Sequence, residues 1–245
     1  MHLLTLLLAA LLVAAPAAAQ TRRILVYGDS NAWGWIPVIA GFPGTRHGDG
    51  VRWPGVMAAA LGPAYAVVVD GLNGRSAEAP SAEGPGPECT LNAASGDFVK
   101  ALVRELPLDL VIVMLGTNDV RSDFGRKPAA IVEALLQMAF AVRRSAGMFA
   151  TGYPAPRVLL IAPVALGDTS RTPMGAVYKD GAPEKSRLVA RALMALAAQE
   201  GIDAFDANSA VAAPGIDGIH LDAQGHAALG AAVAARVRAM LASQP

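Results

Sequence analysis

The 245-residue chain has one cysteine, four histidines and no excess of charge of either sign. Its single thiol, Cys89, cannot form an internal disulfide, so the stability of the fold must come from the core. Cys89 lies in the stretch EGPGPECTLN with no histidine nearby, and we interpret it as a bystander rather than a nucleophile. The 20 Lys and Arg residues balance 20 Asp and Glu residues, which gives no support for nucleic acid as a partner.

The N-terminus carries an apolar run, LLTLLLAALLVAA, followed by small residues that include Ala17 and Ala19. This pattern predicts a cleavable signal peptide over residues 1–19, a mature chain that starts near Gln20, and a periplasmic or secreted location. An uncleaved membrane anchor is the alternative. The run is short for a span of about 20 residues, so we expect no stable membrane insertion after cleavage.

After the leader, short apolar runs alternate with helical patterns, which predicts a single α/β domain over residues 20–245. The runs are continuously apolar, which favours a mostly parallel five-stranded sheet covered by helices on both faces. The predicted strands are Ile24–Gly28, Ala66–Asp70, Leu108–Leu115, Val158–Ala162 and Ile202–Phe205. The predicted helices are Trp53–Leu61, Phe98–Leu106, one from Pro128 to before Gly147, Glu184–Glu200 and one after Asp222.

Ligands of such sheets bind beyond the carboxyl ends of the strands, and Ser30 follows the first predicted strand there. A serine hydroxyl needs a base to become a nucleophile, and a turn at the end of a strand can expose it to one. The alternative is that Ser30 only caps the following helix.

A base for Ser30 has to come from the histidines. His47 lies in a polar loop and is predicted to be solvated, and His226 is predicted to be a surface or capping residue. His220 follows Asp217 by three residues in GIDGIHLD. Such a turn can present the carboxylate to Nδ1 and leave Nε2 for the serine. A metal site of His220, Asp222 and His226 is a weaker alternative, because no further His or Cys completes it.

An acyl-transfer site also needs hydrogen-bond donors where the oxyanion forms. Asn118 follows the third predicted strand in MLGTND, and its amide can reach over the same edge of the sheet as Ser30. The stretch DGLNGRS after the second strand offers backbone N–H groups at Gly71 or Gly74.

These segments, GDS, GLNGRS, GTND and DGIH in this order, resemble the four blocks of the SGNH (GDSL-type) serine hydrolases. Longer stretches such as GDSNAWGW, ELPLDLVIVMLGTND and GIDGIHLD are most similar to the arylesterase/acyltransferase branch. The resemblance implies a three-layer, flavodoxin-like α/β/α fold. It also implies Ser30 as the nucleophile, His220 as the base and Asp217 as its partner, with an oxyanion hole of Ser30 N–H, Gly74 N–H and Asn118.

Two residues depart from the family pattern. Asn31 replaces the leucine of the GDSL motif, which we expect to affect packing behind the serine more than chemistry. Gly74 stands where the arylesterase branch tends to carry alanine, so Gly71 stays an alternative donor. The G-x-S-x-G elbow of α/β-hydrolases does not occur in the sequence.

The predicted activity is hydrolysis of short-chain or aryl esters through an acyl-enzyme, with acyl transfer to alcohols as an extension and no cofactor or metal. Carbohydrate acetylesterase and lysophospholipase or thioesterase activities are alternatives that use the same residues. A non-catalytic, flavodoxin-like binding module is the remote alternative, and the resemblance suggests self-association into a homo-oligomer. Substrate contacts are predicted for Trp33, Trp35, Thr117 and Phe124, with one of the two tryptophans expected in the core.

Overall fold

The computed structural model describes residues 21–77, 94–179 and 181–242. The predicted leader and Cys89 lie outside these residues. Five strands form one parallel sheet in the order β2-β1-β3-β4-β5. The strands are β1 (Arg22–Gly28), β2 (Tyr65–Gly71), β3 (Leu110–Met114), β4 (Arg157–Ala162) and β5 (Asp203–Asp206).

The helices are α1 (Ser30–Trp33), α2 (Trp53–Leu61), α3 (Ala94–Glu105), α4 (Pro128–Arg143), α5 (Ala182–Gln199) and α6 (Ala223–Ala242). Alternate residues of β1 face opposite sides of the sheet. Ile24 and Val26 belong to a core cluster with residues of α2 and α6. Leu25 and Tyr27 belong to a second cluster with residues of α3, α4 and α5. The predicted three-layer α/β/α architecture is therefore confirmed.

The sequence pattern overstated the burial of two strands. Residues of β2 and β5 are half-buried for the most part, whereas the described residues of β3 are all buried. The reason is strand order, because β2 and β5 are the two edges of the sheet and each lacks a neighbour on one side. The remaining predicted elements begin and end within a few residues of the observed ones.

The strand order also locates a crevice. The chain runs outward from β1 to β2 on one side and from β1 through β3 to β5 on the other, so the order reverses at β1. Such a switch point opens a crevice at the carboxyl ends of the central strands. In this sheet Gly28 pairs with both Gly71 and Met114, so three strands end side by side there. Among the described residues, no helix is long and apolar enough to cross a membrane.

Candidate active site

Ser30 is the first residue of the short helix α1, directly after β1, and its side chain is buried. Asp29 takes the N-cap position, where its Oδ1 accepts the Asn31 N–H at 2.9 Å. The capping alternative for Ser30 is therefore wrong, because the neighbouring aspartate fills that role. The Ser30 N–H lies in the first turn of α1, where no intrahelical acceptor precedes it.

The Ser30 hydroxyl contacts a histidine from the far end of the chain. His220 Nε2 lies 2.9 Å from Ser30 Oγ, and His220 Nδ1 lies 2.7 Å from Asp217 Oδ2. The other carboxylate oxygen, Asp217 Oδ1, accepts the N–H groups of Ile219 and His220 at 2.9 and 2.8 Å. One carboxylate thus holds both the loop backbone and the imidazole ring. The structure brings Ser30, His220 and Asp217 together in one line of hydrogen bonds.

The charge state of Asp217 determines the proton positions in this line. Burial raises the pKa of Asp217, but its hydrogen bonds and the charge of His220 outweigh that effect and hold the pKa below its usual value. An ionised Asp217 only accepts, so His220 Nδ1 carries the proton and Nε2 is left as an acceptor for Ser30. This arrangement can remove a proton from the serine hydroxyl.

Asn31 holds the serine turn and the histidine loop together. Its Nδ2 donates to the Ile219 carbonyl oxygen at 3.3 Å, and its Oδ1 accepts the Leu221 N–H at 3.0 Å. The two backbone groups flank His220. Asn31 therefore does more than pack behind the serine, and the signal in the sequence was a polar residue where the family motif has leucine.

Asn118 and His220 line the same cavity. The Asn118 Nδ2 donates to the Arg75 carbonyl oxygen at 2.9 Å, and the Asn118 Oδ1 accepts from the Tyr178 hydroxyl at 3.0 Å. Gly74, with φ at +73°, borders the same cavity. A Cβ at Gly71 would lie 2.5 Å from the Trp33 nitrogen, so that glycine permits close packing of β2 on α1. These placements favour Gly74 over Gly71 as a neighbour of Ser30.

A cavity of about 130 Å³ contains Ser30, His220, Gly74 and Asn118 in its walls. Its apolar wall includes Trp35, which stacks on the His220 ring with centroids 4.9 Å apart. A larger cavity of about 290 Å³ also borders His220, but Ser30 is not among its lining residues. The smaller cavity is therefore the one joined to the serine.

The other predicted substrate contacts lie further away. The Trp33 ring packs on Trp35 at 6.4 Å and under the Arg46 guanidinium at 5.2 Å, and it does not line the cavity. Neither tryptophan belongs to a core cluster, so the expectation that one would is wrong; the fully buried tryptophan is Trp53.

Thr117 is buried near Asp29, and the Phe124 ring lies against the guanidinium groups of Arg121 and Arg126 at 4.7 and 5.0 Å. Neither Thr117 nor Phe124 lines the cavity. The lining residues that the sequence did not reveal are Asn73, Arg121, Met174, Val177, Tyr178 and Ile219. All six lie in the connections that follow strands, where no periodicity indicates which side chain faces inward.

Two histidines are placed differently from the prediction. His226 is fully buried, and its Nδ1 accepts the Trp53 N–H at 3.3 Å. His47 is half-buried, with its ring 5.2 Å from the His226 ring. The sequence instead predicts a solvated His47 and a surface or capping role for His226. Because His226 is turned toward α2, it is not part of a metal site with His220 and Asp222, and the described residues contain no cluster of three His, Cys, Asp or Glu side chains suited to a metal ion.

The chain is similar in sequence and in fold to known proteins. The sequence profile of the GDSL-like Lipase/Acylhydrolase family matches residues 26–228. A search of curated proteins gave no match. Among solved structures, an aryl esterase from M. smegmatis is 37% identical, with a TM-score of 0.83, covering 89% of this chain and 99% of its own. A carbohydrate acetylesterase from Sinorhizobium meliloti is 38% identical, with a TM-score of 0.82 and the same coverage.

A third solved structure, a putative arylesterase from Agrobacterium tumefaciens, is 34% identical, with a TM-score of 0.73, and covers 89% of this chain and 99% of its own. The family profile covers most of the chain, and these structures share its fold over nearly their whole length. The chain therefore belongs to the GDSL-like lipase/acylhydrolase family and is a carboxylic ester hydrolase of the SGNH type.

Proposed function

We propose that the protein hydrolyses short-chain or aryl carboxylic esters through a covalent acyl-enzyme on Ser30. The observation that carries this proposal is the hydrogen-bonded line from Ser30 Oγ through His220 to Asp217 at 2.9 and 2.7 Å. A serine within hydrogen-bonding reach of an oriented imidazole is the arrangement that nucleophilic acyl transfer requires.

In the first half of the reaction, Ser30 Oγ attacks the ester carbonyl carbon while His220 Nε2 takes the serine proton. Asp217 stabilises the imidazolium that forms. The carbonyl oxygen becomes an oxyanion that accepts hydrogen bonds from the Ser30 N–H, the Gly74 N–H and the Asn118 side-chain amide. His220 then gives its proton to the departing alcohol, and the acyl group remains on Ser30.

In the second half, a water molecule attacks the acyl carbon while His220 Nε2 takes one of its protons. His220 then returns this proton to Ser30 Oγ as the bond between Oγ and the acyl carbon breaks, and the carboxylic acid leaves. We propose that small alcohols compete with water at this step, because Trp35, Met174 and Val177 supply apolar surface to the cavity. An alcohol that binds there gives a new ester in place of the acid.

The size of the cavity supports small substrates. Sites for drug-sized ligands span about 300–1,000 Å³, and the cavity beside Ser30 is about 130 Å³. This favours an acetyl or similarly short acyl group over a long chain. Acetylated carbohydrates are the second candidate class, because a carbohydrate acetylesterase is 38% identical to this chain. We further propose that residues 1–19 direct export of the protein and are removed.

The nucleophile is tested with Ser30→Ala and a matched control, Ser209→Ala, which changes an exposed serine beyond β5. We expect Ser30→Ala to lower kcat for p-nitrophenyl acetate at least about 1,000-fold, since loss of one member of such a triad removes most of the acceleration. A fluorophosphonate probe should label the wild type and the control and leave Ser30→Ala unlabelled. Turnover or labelling of Ser30→Ala near the wild-type level would contradict the proposal.

The same assay ranks the substrates. We expect kcat/KM for p-nitrophenyl acetate to exceed that for p-nitrophenyl octanoate by at least 10-fold, as an order of magnitude, because the long chain exceeds the cavity. An acetylated sugar measured beside the aryl acetate decides between the two candidate classes. A preference for octanoate would overturn the short-chain proposal and leave the role of Ser30 intact.

A further inference from the structure

The Asn118 amide has two partners of different chemistry. Its nitrogen lies 2.9 Å from the Arg75 carbonyl oxygen, and its oxygen lies 3.0 Å from the Tyr178 hydroxyl. A backbone carbonyl only accepts hydrogen bonds, so the NH₂ end of the amide must face Arg75. The phenol then donates to Oδ1. The orientation of the amide follows from these two partners, although its two ends are nearly isosteric.

This orientation leaves one N–H of Asn118 for a ligand. The NH₂ group has two hydrogens, and the Arg75 carbonyl takes one of them. The amide is planar, so with Nδ2 held at Arg75 and Oδ1 held at Tyr178 the direction of the second hydrogen is fixed. Asn118 and Tyr178 both line the cavity that holds Ser30.

Without the phenol, one of these two anchors is lost. The terminal torsion of an asparagine side chain is broad, so a single hydrogen bond to Arg75 constrains the amide plane poorly. Asn118 is only 7% exposed, so Oδ1 would lose its partner in a place where little water can replace it.

Tyr178 is itself held firmly. Its N–H donates to the Met174 carbonyl oxygen at 2.9 Å, and its own carbonyl oxygen accepts from the Thr169 hydroxyl at 2.9 Å. Ser122, in the loop after β3, donates its N–H to the Val177 carbonyl oxygen at 2.8 Å. Burial also raises the pKa of the Tyr178 phenol, so the hydroxyl keeps its proton and stays a donor.

We propose that Tyr178 is a positioning residue for ester hydrolysis, which holds the Asn118 amide so that one N–H of Nδ2 meets the oxyanion. The inference rests on the proposed function, in which Asn118 is an oxyanion donor. Tyr178 acts through Asn118 and transfers no proton to the substrate. Tyr178 therefore stabilises the transition state, where the oxyanion exists, much more than it stabilises the bound ester.

The test is a double-mutant cycle with p-nitrophenyl acetate, with rates normalised to the sites titrated by a fluorophosphonate so that misfolded protein is not counted. We expect Tyr178→Phe to lower kcat roughly 5- to 30-fold, with KM changed less than about twofold, because the lost bond acts on the transition state. Asn118→Ala alone should lower kcat about 100- to 1,000-fold. The double variant should match Asn118→Ala, since Tyr178 has nothing left to orient.

The matched control is Tyr27→Phe, which removes another buried phenol whose hydroxyl lies 3.5 Å from Asp97 on the α3 side of the sheet. Its kcat should equal that of the wild type. A Tyr178→Phe kcat within twofold of wild type, or losses that multiply in the double variant, would overturn the positioning role. An active Ser30→Ala would instead overturn the proposed function, so the two failures are distinguishable.

Discussion

Asp29, next to the candidate nucleophile, is a carboxyl group with no exposed surface. Burial raises its pKa from 3.8 to about 6, and the Asn31 N–H and the charge of His220 offset this only in part. The folded protein therefore favours the neutral form of a group that is ionised in the unfolded chain above about pH 4. Holding this residue at the cap of α1 costs stability near neutral pH.

The pH dependence of the unfolding free energy tests this cost. Between pH 3.8 and about 6 the folded state binds one proton more than the unfolded state at Asp29, so stability falls as the pH rises through this window. We expect Asp29→Asn, which retains a good N-cap, to gain up to about 3 kcal/mol relative to wild type between pH 4 and 7. Urea unfolding at several pH values measures the difference.

The control is Asp168→Asn at an exposed aspartate, where hydrogen bonds to Ser170 lower the pKa and the same gain is not expected. Parallel pH profiles for Asp29→Asn and wild type would show that Asp29 is ionised in the folded protein at all pH values above 4.

For single residues, the sequence alone identifies those site residues whose chemical role requires a particular residue type. Ser30, Asn118, Asp217 and His220 stand in short motifs at the ends of predicted elements. In the structure Ser30, Asn118 and His220 line one cavity, and Asp217 is hydrogen-bonded to His220. Tyr178 could not be found in this way, because it lies in an irregular loop and acts through another side chain. A lone tyrosine there gives no signal in a single sequence.

Helices α2 and α6 pack closely on one face of the sheet. A Cβ at Gly230 of α6 would lie 2.6 Å from the Val56 Cβ and 2.7 Å from the Trp53 carbonyl oxygen of α2, so only glycine permits this approach. Four residues earlier on α6, His226 Nδ1 accepts the N–H of Trp53, the first residue of α2. Arg52, at the N-cap position, makes no side-chain capping bond. A side chain of α6 thus supplies the acceptor for a backbone N–H group at the start of α2.

This contact predicts acid sensitivity. Burial lowers the pKa of His226 from 6.5 to about 3, helped by the charge of His47. Between those values the unfolded chain binds a proton that the folded protein does not, so stability is lost as the pH falls from about 6.5 toward 3. The full effect is up to about 5 kcal/mol. His226→Asn keeps an acceptor for the Trp53 N–H. In this variant we expect the unfolding free energy, measured by urea titration, to fall less than in the wild type as the pH is lowered from about 6.5 toward 3.

His47→Asn is the control, because it removes the ring contact between the two histidines and leaves His226 in place. If His226→Asn loses as much unfolding free energy in acid as the wild type does, the loss of stability has another source.

The signal for burial of His226 was present in the sequence. It stands three, seven and eleven residues before Leu229, Val233 and Val237, on the apolar stripe of α6.

At the scale of the whole molecule, the sequence revealed the alternation of strands and helices but not their neighbours in space. Apolar runs locate strands, whereas strand order depends on long-range packing. The sequence pattern therefore predicts buried strands at β2 and β5, which the structure places at the half-exposed edges of the sheet. Arg121, Met174 and Val177, in the segments after β3 and β4, line the cavity, but no pattern in the sequence indicates that they face inward.

The proposed export depends on residues 1–19 and is tested on a chain that includes them. When it is expressed with residues 1–19 in a Gram-negative host, we expect periplasmic protein whose intact mass corresponds to a start near Gln20, because the small residues at 17 and 19 suit cleavage. The double substitution Ala17→Phe with Ala19→Phe should block processing and leave the precursor. Recovery of the wild-type chain in the cytoplasm with Met1 or His2 still present would contradict export.

The bonds from Asn31 to Ile219 and Leu221 join positions 188 and 190 residues apart. This separation has a consequence for biosynthesis. The serine is made early and its histidine nearly last, so a chain still leaving the ribosome holds a hydroxyl without a base. Closure of such a distant contact comes late in folding. On the proposed mechanism, a polypeptide that ends before His220 lacks the base for Ser30, so we expect reactivity toward esters to begin only after the C-terminal part of the chain has been made.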